Sequence, residues 1–224
     1  MIVLHHLENS RSLRIVWLLE ELGVDYEIRQ YARDPKTMLA PAELKQVHPL
    51  GKSPVITDED AGGRVVAESG AIIDYLLRRF DTEHRLWPEP SSTDTTDFVF
   101  WMHHAEASAM PPLVMNLVFS RLGKPPVPAL LRPLGKLFAE GVRKQYLGPE
   151  IRRLMDFWEH SLAGREWFAG ERFSAADVQM SFPLLALEGR DQLGDHPQLA
   201  AFVVRCRQRP GYVRAVERGG ELSL

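Results

Sequence analysis

The first 23 residues constrain the fold of this chain more than any other segment. An apolar run, Ile2 to His6, precedes a polar turn, Asn9-Ser10-Arg11-Ser12, and apolar residues then recur at helical spacing from Leu13 to Leu22. Gly23 suits the left-handed residue that commonly ends a helix. The pattern predicts a strand, a turn and a helix whose first backbone N–H groups lie beside serine hydroxyls. These donors and the positive end of the helix dipole favour an anion at the turn.

The next 57 residues continue with short elements. Tyr26 to Tyr31 is typical of a second strand, and Pro54 heads a third apolar strand, a position that proline tolerates. A tight turn at Asp60-Ala61-Gly62-Gly63 leads to a partner strand, Arg64 to Ala67. A helical pattern begins after Glu68-Ser69. The predicted order is therefore β-α-β followed by β-β-α.

The remainder of the chain is predicted to be helical. Residues 82–93 are polar and contain prolines, which indicates a linker. Helices are expected over 94–121, over 134–162 with a break at Gly148-Pro149, and over 198–208, ending before Pro210. Pro111-Pro112 is expected to kink or end the first of them. Ser174-Ala175-Ala176-Asp177 resembles a capping box before an apolar run.

Composition excludes several classes of protein. The net charge of −3 gives no support to nucleic-acid or membrane-surface binding, and no apolar run approaches the length of a membrane span. A single cysteine, Cys206, excludes an internal disulfide and any Cys-x-x-Cys motif. The pair His103-His104 lacks the further ligands that a metal site needs. Without a secretory signal at its start, the chain is expected to be cytoplasmic.

Several landmarks in this order resemble the cytosolic glutathione transferase family over nearly the whole chain. They are the serine-bearing first turn, the segment Pro49-Leu50-Gly51-Lys52-Ser53-Pro54, the pair Glu68-Ser69, the linker, and Phe173-Ser174-Ala175-Ala176-Asp177. The resemblance implies a thioredoxin-like α/β domain at 1–81, a linker at 82–93, and an all-α domain at 94–224 that forms the electrophile site. It also implies a homodimer, with glutathione as co-substrate and no metal or nucleotide cofactor. The run Asn9-Ser10-Arg11-Ser12 looks most like a bacterial and fungal branch of the family.

Ser10 is the first candidate for the catalytic hydroxyl, because it lies four residues before Arg14, a spacing similar to that of serine-type members. A free thiol has a pKa of about 8.5, so only a few per cent of glutathione is thiolate at neutral pH. A hydroxyl that hydrogen-bonds the thiolate lowers that pKa. Asn9 and Ser12 are the rival donors, and the ordinary alternative is that Ser10 only caps the helix. The absence of tyrosine and cysteine before Tyr26 argues against tyrosine-type enzymes and mixed-disulfide reductases.

The resemblance implies that six further residues bind glutathione: Lys52, Ser53, Pro54, Glu68, Ser69 and His48. Pro54 corresponds to the cis-proline that turns the backbone of Ser53 towards the cysteinyl part of glutathione. Glu68 is expected to bind the γ-glutamyl ammonium, and Ser69 with the helix N–H groups its carboxylate. Lys52, with the nearby histidine as a second candidate, is expected to meet the glycine carboxylate. Each assignment has a plain structural alternative, such as a cap, an edge proline or a solvated lysine.

The electrophile pocket is expected to involve five residues: His6, Met102, His103, Glu106 and Met110. His6 is included because strand alternation puts His5 and His6 on opposite faces. The others fall in the helix that flanks this pocket in the family, although an apolar stripe of this kind is also typical of a core.

Three functions remain open. The first is a detoxifying transferase that conjugates glutathione to a hydrophobic electrophile. The second is a glutathione-dependent peroxidase or isomerase on the same fold. The third is a binding or regulatory protein that keeps the fold without catalysis, because fold does not fix function.

Overall fold

The N-terminal part of the chain is a four-stranded mixed sheet. The computed structural model describes residues 1–89 and 91–222 and gives strands β1 (Ile2–Leu7), β2 (Tyr26–Tyr31), β3 (Val55–Asp58) and β4 (Arg64–Ala67). The strand order is β2-β1-β3-β4; β1 pairs parallel with β2, whereas β1 with β3 and β3 with β4 are antiparallel. The parallel pair requires a crossover, which helix α1 (Leu13–Leu22) provides.

Three helices accompany the sheet: α1, the short α2 (Leu44–Val47) and α3 (Ser69–Phe80). Every residue of β1 is buried, as expected for a central strand covered on both faces. Gly23 ends α1 with φ +68°, as its position in the sequence predicted. The predicted β-α-β and β-β-α order is confirmed.

The rest of the described chain is helical. Its helices are α4 (Asp94–His104), α5 (Met110–Ser120), α6 (Arg132–Val142), α7 (Gly148–Ser161), α8 (Ala175–Glu188), α9 (Pro197–Gln208) and α10 (Pro210–Gly219). The fold class, an α/β thioredoxin-like part followed by an all-α part, is thereby confirmed. Pro90 of the predicted linker and residues 223–224 of the predicted helical domain lie outside the described residues. No helix in the described part of the chain is long and apolar enough to cross a membrane.

Prolines stand inside two long helical segments, where the sequence predicted interruptions. A π-helical turn, Ala105–Ala109, joins α4 to α5 just before Pro111-Pro112, and another, Arg143–Leu147, joins α6 to α7 before Pro149. Proline has no N–H and collides with the carbonyl one turn earlier, and a widened turn removes that collision. The α-helical pattern is therefore interrupted by a π-helical turn at both places, and α7 begins at the expected break, Gly148-Pro149, although the chain stays helical there.

Helix α10 differs from the expectation that the last helix ends before Pro210. The structure instead places Pro210 at the first turn of a new helix, where its missing N–H has no partner to lose. Helix α10 packs along α1, and Trp17 meets Tyr212 edge-on with ring centroids 5.1 Å apart. Arg209 forms a two-pronged ion pair with Glu21, at 2.8 and 2.7 Å. The C-terminal helices are thus fastened to the helix that carries the predicted site.

Helix α8 forms the centre of the helical part and is buried from Ala175 to Leu187. Its N-terminus carries the predicted capping box. Asp177 accepts hydrogen bonds from the backbone N–H of Ser174 and of Phe168, both at 2.8 Å, and from the Ser174 hydroxyl at 3.1 Å. The structural role predicted for this motif is confirmed.

Candidate active site

A cleft of about 340 Å³ opens at the start of α1, between the sheet and the helices. Its N-terminal wall is formed by Leu7, Asn9, Ser10, Arg11, Arg33, Leu39, Ala40, Lys52 and Ser53. Its helical wall is formed by Met110, Leu113, Val114, Leu117, Phe182, Ala186 and Arg190. Most residues of the N-terminal wall are polar or charged, whereas the helical wall is largely apolar, and this difference suits two substrates of different character.

A larger cavity of about 700 Å³ lies beside the connection between α3 and α4. Charged side chains, including Arg85, Arg165 and Glu171, line it together with Trp87 and Phe173. None of the predicted site residues lines this cavity. The smaller cleft is therefore the candidate active site, because it alone combines the predicted hydroxyl with an apolar wall.

Ser10 lies at the floor of the cleft, one turn before α1. Ser10 is only 8% exposed, yet it lines the cleft. Its Oγ accepts a hydrogen bond from the backbone N–H of Ser12 at 3.2 Å and lies 2.7 Å from the Ser12 hydroxyl. Ser10 therefore organises the turn before α1, whose N-cap residue is Ser12, and it also lines the cleft.

A chain of hydrogen bonds runs behind Ser10. Nε2 of His6 lies 2.8 Å from the carbonyl oxygen of Gly219, which can only accept, so Nε2 carries the proton. Burial lowers the pKa of His6, which favours the neutral ring, and its Nδ1 is then the acceptor for the Ser12 hydroxyl at 2.9 Å. With its proton directed at His6, Ser12 offers a lone pair to the hydroxyl of Ser10. A thiolate in the cleft would compete for that same proton of Ser10.

The two rivals of Ser10 differ in position. Asn9 is exposed, has φ +48°, and lines the cleft. Ser12 has 0% exposure, and its Oγ also lies 3.2 Å from the carbonyl oxygen of Leu7, a second acceptor for its one proton. Ser12 does not line the cleft, so it acts behind Ser10 and is not placed to meet a thiol directly.

The loop before β3 supplies the next group of predicted residues. Ser53 uses its hydroxyl to bridge β1, donating to the carbonyl of His5 at 2.9 Å and accepting from the N–H of Leu7 at 3.2 Å. The Ser53-Pro54 bond is cis, as the resemblance implied. Lys52 is exposed and lines the cleft beside Ser53. His48 does not line it, because its ring accepts from the N–H of Leu50 and holds the loop.

Glu68 and Ser69 lie at the start of α3. Glu68 is exposed and has φ +72°, and Ser69 is the first helical residue and is buried. The Ser69 hydroxyl accepts from the guanidinium of Arg14 at 3.2 Å. The helix start carries a partial positive charge, and it is tied to α1 by a buried cation.

Arg14 is a fully buried cation that connects three parts of the molecule. Besides Ser69, it donates to the carbonyl of Gln179 at 2.8 Å and to the carboxylate of Glu106. Burial lowers the pKa of Arg14, and the adjacent Glu106 carboxylate opposes that change. The second oxygen of Glu106 lies 3.6 Å from Arg11, which lines the cleft. Glu106 is thus a partner of two arginines below the cleft.

Of the five residues expected in the electrophile pocket, only Met110 lines the cleft. His6 is buried against Gly219, Met102 packs against the core, and His103 is exposed. The cleft faces the helix further along than expected: its lining begins at Met110 and continues one and two turns later. His6, Met102, His103 and Glu106 do not line this cleft.

Sequence reasoning missed most of the helical wall. Phe182, Ala186 and Arg190 belong to the region of α8 and its C-terminal end, which is distant in sequence from every landmark. Arg11 was also missed as a lining residue, although it belongs to the turn Asn9-Ser10-Arg11-Ser12, which the sequence had identified as part of the site. Among residues 1–89 and 91–222, no group of three or more His, Cys, Asp or Glu side chains is arranged to hold a metal ion.

Two family models match the chain. The glutathione S-transferase N-terminal domain matches residues 1–78, and the glutathione S-transferase C-terminal domain matches residues 112–210. These ranges contain the N-terminal wall of the cleft and most of its helical wall.

Similar proteins carry the same name. The chain is 41% identical over 200 residues to glutathione S-transferase 3 of Schizosaccharomyces pombe, covering 88% of this chain and 78% of that protein. It is 31% identical over 230 residues to glutathione S-transferase 1 of Saccharomyces cerevisiae, covering 100% and 97%. The crystal structure of a glutathione S-transferase from Actinobacillus pleuropneumoniae is similar with a TM-score of 0.83 and 36% identity, over 100% of this chain and 96% of that chain.

Proposed function

This chain belongs to the glutathione S-transferase family, and from that premise we propose that the cleft at the start of α1 is its active site. The enzyme joins the sulfur of glutathione to an electrophilic carbon. Glutathione would occupy the N-terminal wall, and a hydrophobic electrophile would lie against α5 and α8. The contrast between the polar and the apolar wall supports this division.

In this proposal the hydroxyl of Ser10 donates a hydrogen bond to the glutathione thiolate. The hydrogen bond favours the thiolate over the thiol and so lowers the pKa of the thiol. The start of α1 adds its backbone N–H groups and partial positive charge. The thiol proton leaves to solvent, the thiolate forms a bond to carbon, and the leaving group departs with the electrons of the broken bond. Positioning and electrostatic stabilisation supply the catalysis.

The rest of glutathione would extend along the loop before β3 to the start of α3. The backbone of Ser53 would pair with the cysteinyl part and Lys52 with the glycine carboxylate. Ser69 and the first turn of α3 would bind the γ-glutamyl carboxylate, and Glu68 the ammonium. The exposed position of Glu68 beside a helix start supports a zwitterionic ligand there.

The observation that carries the proposal is the position of Ser10, which lines the cleft and whose hydroxyl is hydrogen-bonded to Ser12 and, through Ser12, to His6. The test is the ultraviolet absorbance of the thiolate of bound glutathione, measured across pH for wild type, Ser10→Ala and Asn9→Ala. A depressed thiol pKa that rises in Ser10→Ala and not in Asn9→Ala supports the role of Ser10. If the thiol pKa of bound glutathione is equally depressed in wild type and in Ser10→Ala, the activating role moves to Asn9 or the helix start. Turnover of an organic hydroperoxide without turnover of an aryl halide would favour a peroxidase instead.

We also propose that the enzyme is a homodimer and works in the cytoplasm, as the resemblance implies for the family. Light scattering during size-exclusion chromatography measures the mass directly. A mass of about 51 kDa, twice the 25.5 kDa of one chain, supports the dimer. A mass of one chain at micromolar concentration contradicts it.

A further inference from the structure

We propose that the preferred electrophile carries an anionic group, a carboxylate above all, and that Arg190 binds it. This inference rests on the proposed function and adds the chemical class of the second substrate. It follows from the charges of the cleft, from the lack of a partner for Arg190, and from the apolar surface beside that residue.

The cleft is lined by four cationic side chains, Arg11, Arg33, Lys52 and Arg190, and by no carboxylate among the described lining residues. The whole chain has a net charge of −3, so this concentration of positive charge is not a reflection of composition. Uncompensated cations in a concave site focus a positive potential, which attracts anionic ligands.

Two of these cations already have partners within the protein. The guanidinium of Arg33 donates to the backbone carbonyls of Glu8, Asn9 and Met38, at 3.2, 2.8 and 3.0 Å, and so holds the loop that follows β2. Arg11 lies 3.6 Å from Glu106. Lys52 lies on the N-terminal wall, where the glycine carboxylate of glutathione is proposed. Arg190 is the cation that remains.

Arg190 is half-buried and lies two residues beyond the end of α8, on the opposite wall from Lys52. Its backbone N–H bonds the carbonyl of Leu187 at 3.1 Å, which continues the helix by one turn and holds the residue at the rim. In the part of the chain that the structure describes, its guanidinium has neither a carboxylate nor a hydrogen-bond acceptor. A half-buried guanidinium of this kind gains most from an anion that arrives with a ligand.

The surface beside Arg190 is apolar. Phe182 and Ala186 on α8 and Leu113 and Leu117 on α5 line the same cleft as Arg190. A ligand that fills this wall needs an apolar body, and one that also reaches Arg190 needs an anionic end. A carboxylate fits best, because the planar guanidinium can bind both of its oxygens.

The reaction itself is unchanged by this group. With an aryl chloride, the thiolate sulfur forms a bond to the ring carbon, and chloride leaves with the electrons of the broken carbon–chlorine bond. The thiol proton has already passed to solvent, and the carboxylate keeps its charge throughout. Arg190 is therefore a specificity residue for the second substrate and takes no part in proton transfer.

The test compares two electrophiles, a chlorodinitrobenzoate and the chlorodinitrobenzamide with the same substitution pattern. Each kcat/KM is divided by the spontaneous rate with glutathione at the same pH, which removes the difference in intrinsic reactivity. Wild type is expected to favour the benzoate. Arg190→Gln should lower the benzoate value about tenfold more than the benzamide value, because a hydrogen bond to a charged group contributes about 1.5 kcal/mol or more. Arg190→Lys should recover part of the preference.

Arg172→Gln is the matched control, because it removes one positive charge from an exposed residue outside the cleft lining. The control should leave the benzoate preference as in wild type; an equal loss would mean long-range attraction alone and would overturn the inference. The inference is also overturned if the benzoate preference survives Arg190→Gln. It is overturned as well if Arg190→Gln raises the KM for glutathione equally with both electrophiles. Failure of wild type to turn over either electrophile contradicts the proposed function itself.

Discussion

The Nδ1 atom of His6 lies 2.9 Å from the Oγ of Ser12, and both side chains are buried behind the floor of the cleft. The contact joins the last turn of α10, through Gly219, to the turn that presents Ser10. In the proposed mechanism His6 acts as a positioning residue for the Ser10 hydroxyl, through Ser12.

His6→Phe removes this link and should lower the thiol pKa of bound glutathione. Without His6, the hydroxyl of Ser12 can donate to the Oγ of Ser10, which leaves the proton of Ser10 available to the thiolate. The measurement is thiolate absorbance across pH. His5→Phe is the matched control, since His5 is equally buried but bonds Tyr31 and Thr57 at 2.9 and 3.1 Å. An unshifted thiol pKa in His6→Phe would end the positioning role.

Glu106→Gln should lower the free energy of unfolding by about 2 kcal/mol, because it leaves the buried Arg14 without its carboxylate partner. This value is below that of a fully buried pair, since Glu106 itself is one-third exposed. Glutathione should also bind more weakly, because Arg14 orders Ser69 at the start of α3. Urea denaturation and calorimetric titration measure the two effects. Glu150→Gln, which breaks the surface pair with Arg153, is the control and should leave both values close to wild type.

Asp177→Ala should lower the free energy of unfolding by about 3 kcal/mol. The substitution leaves the buried N–H groups of Phe168 and Ser174 without an acceptor and removes the cap of α8. Asp34→Ala is the comparison, because Asp34 also accepts two backbone N–H bonds, from Lys36 and Thr37, but in an exposed loop. Equal thermal midpoints for the two variants would contradict the central role of the capping box.

Stability should decrease as the pH falls from about 8 to about 6. Burial lowers the pKa of His5, His6 and His104 below 6.5, so the unfolded chain takes up protons before the folded one. Asp177 has the opposite effect at lower pH. Burial raises its pKa to about 6, so the folded protein takes up this proton before the unfolded chain does, which favours the folded state. The midpoint of urea denaturation measured at several pH values should therefore fall with pH. The slope should be smaller in His104→Gln; a slope as steep as in wild type would exclude His104 as a contributor.

Cys206 should not react with alkylating reagents in the folded protein. The thiol is 1% exposed within α9, and burial raises its pKa well above the ordinary value, so it is neither accessible nor ionised. Mass spectrometry after iodoacetamide treatment should find no adduct under native conditions and one adduct in denaturant. A native adduct would show that α9 opens, and would contradict the packing described here.

Local chemistry made the N-terminal elements predictable. The Leu13–Leu22 helix, Gly23 at its end, the Pro54 strand and the Ser174–Asp177 cap all depend on residues close together in sequence. The positions of Ser10, Lys52 and Ser53 in the cleft agree with the motifs that nominated them. Helix α10 escaped prediction because proline favours both the end of one helix and the start of the next.

The sequence by itself determined the class of fold, the order of its elements and the turn that presents Ser10. Only the tertiary structure decided which residues share the cleft. Ser12 and His6 lie outside the cleft lining, whereas Arg190 is part of it. Long-range contacts decide such positions: the hydrogen bond of His6 with Gly219, for example, joins residues more than 200 positions apart. Periodicity specifies which face of a helix is apolar, but it does not specify which neighbour covers that face or how far along the helix the contact begins.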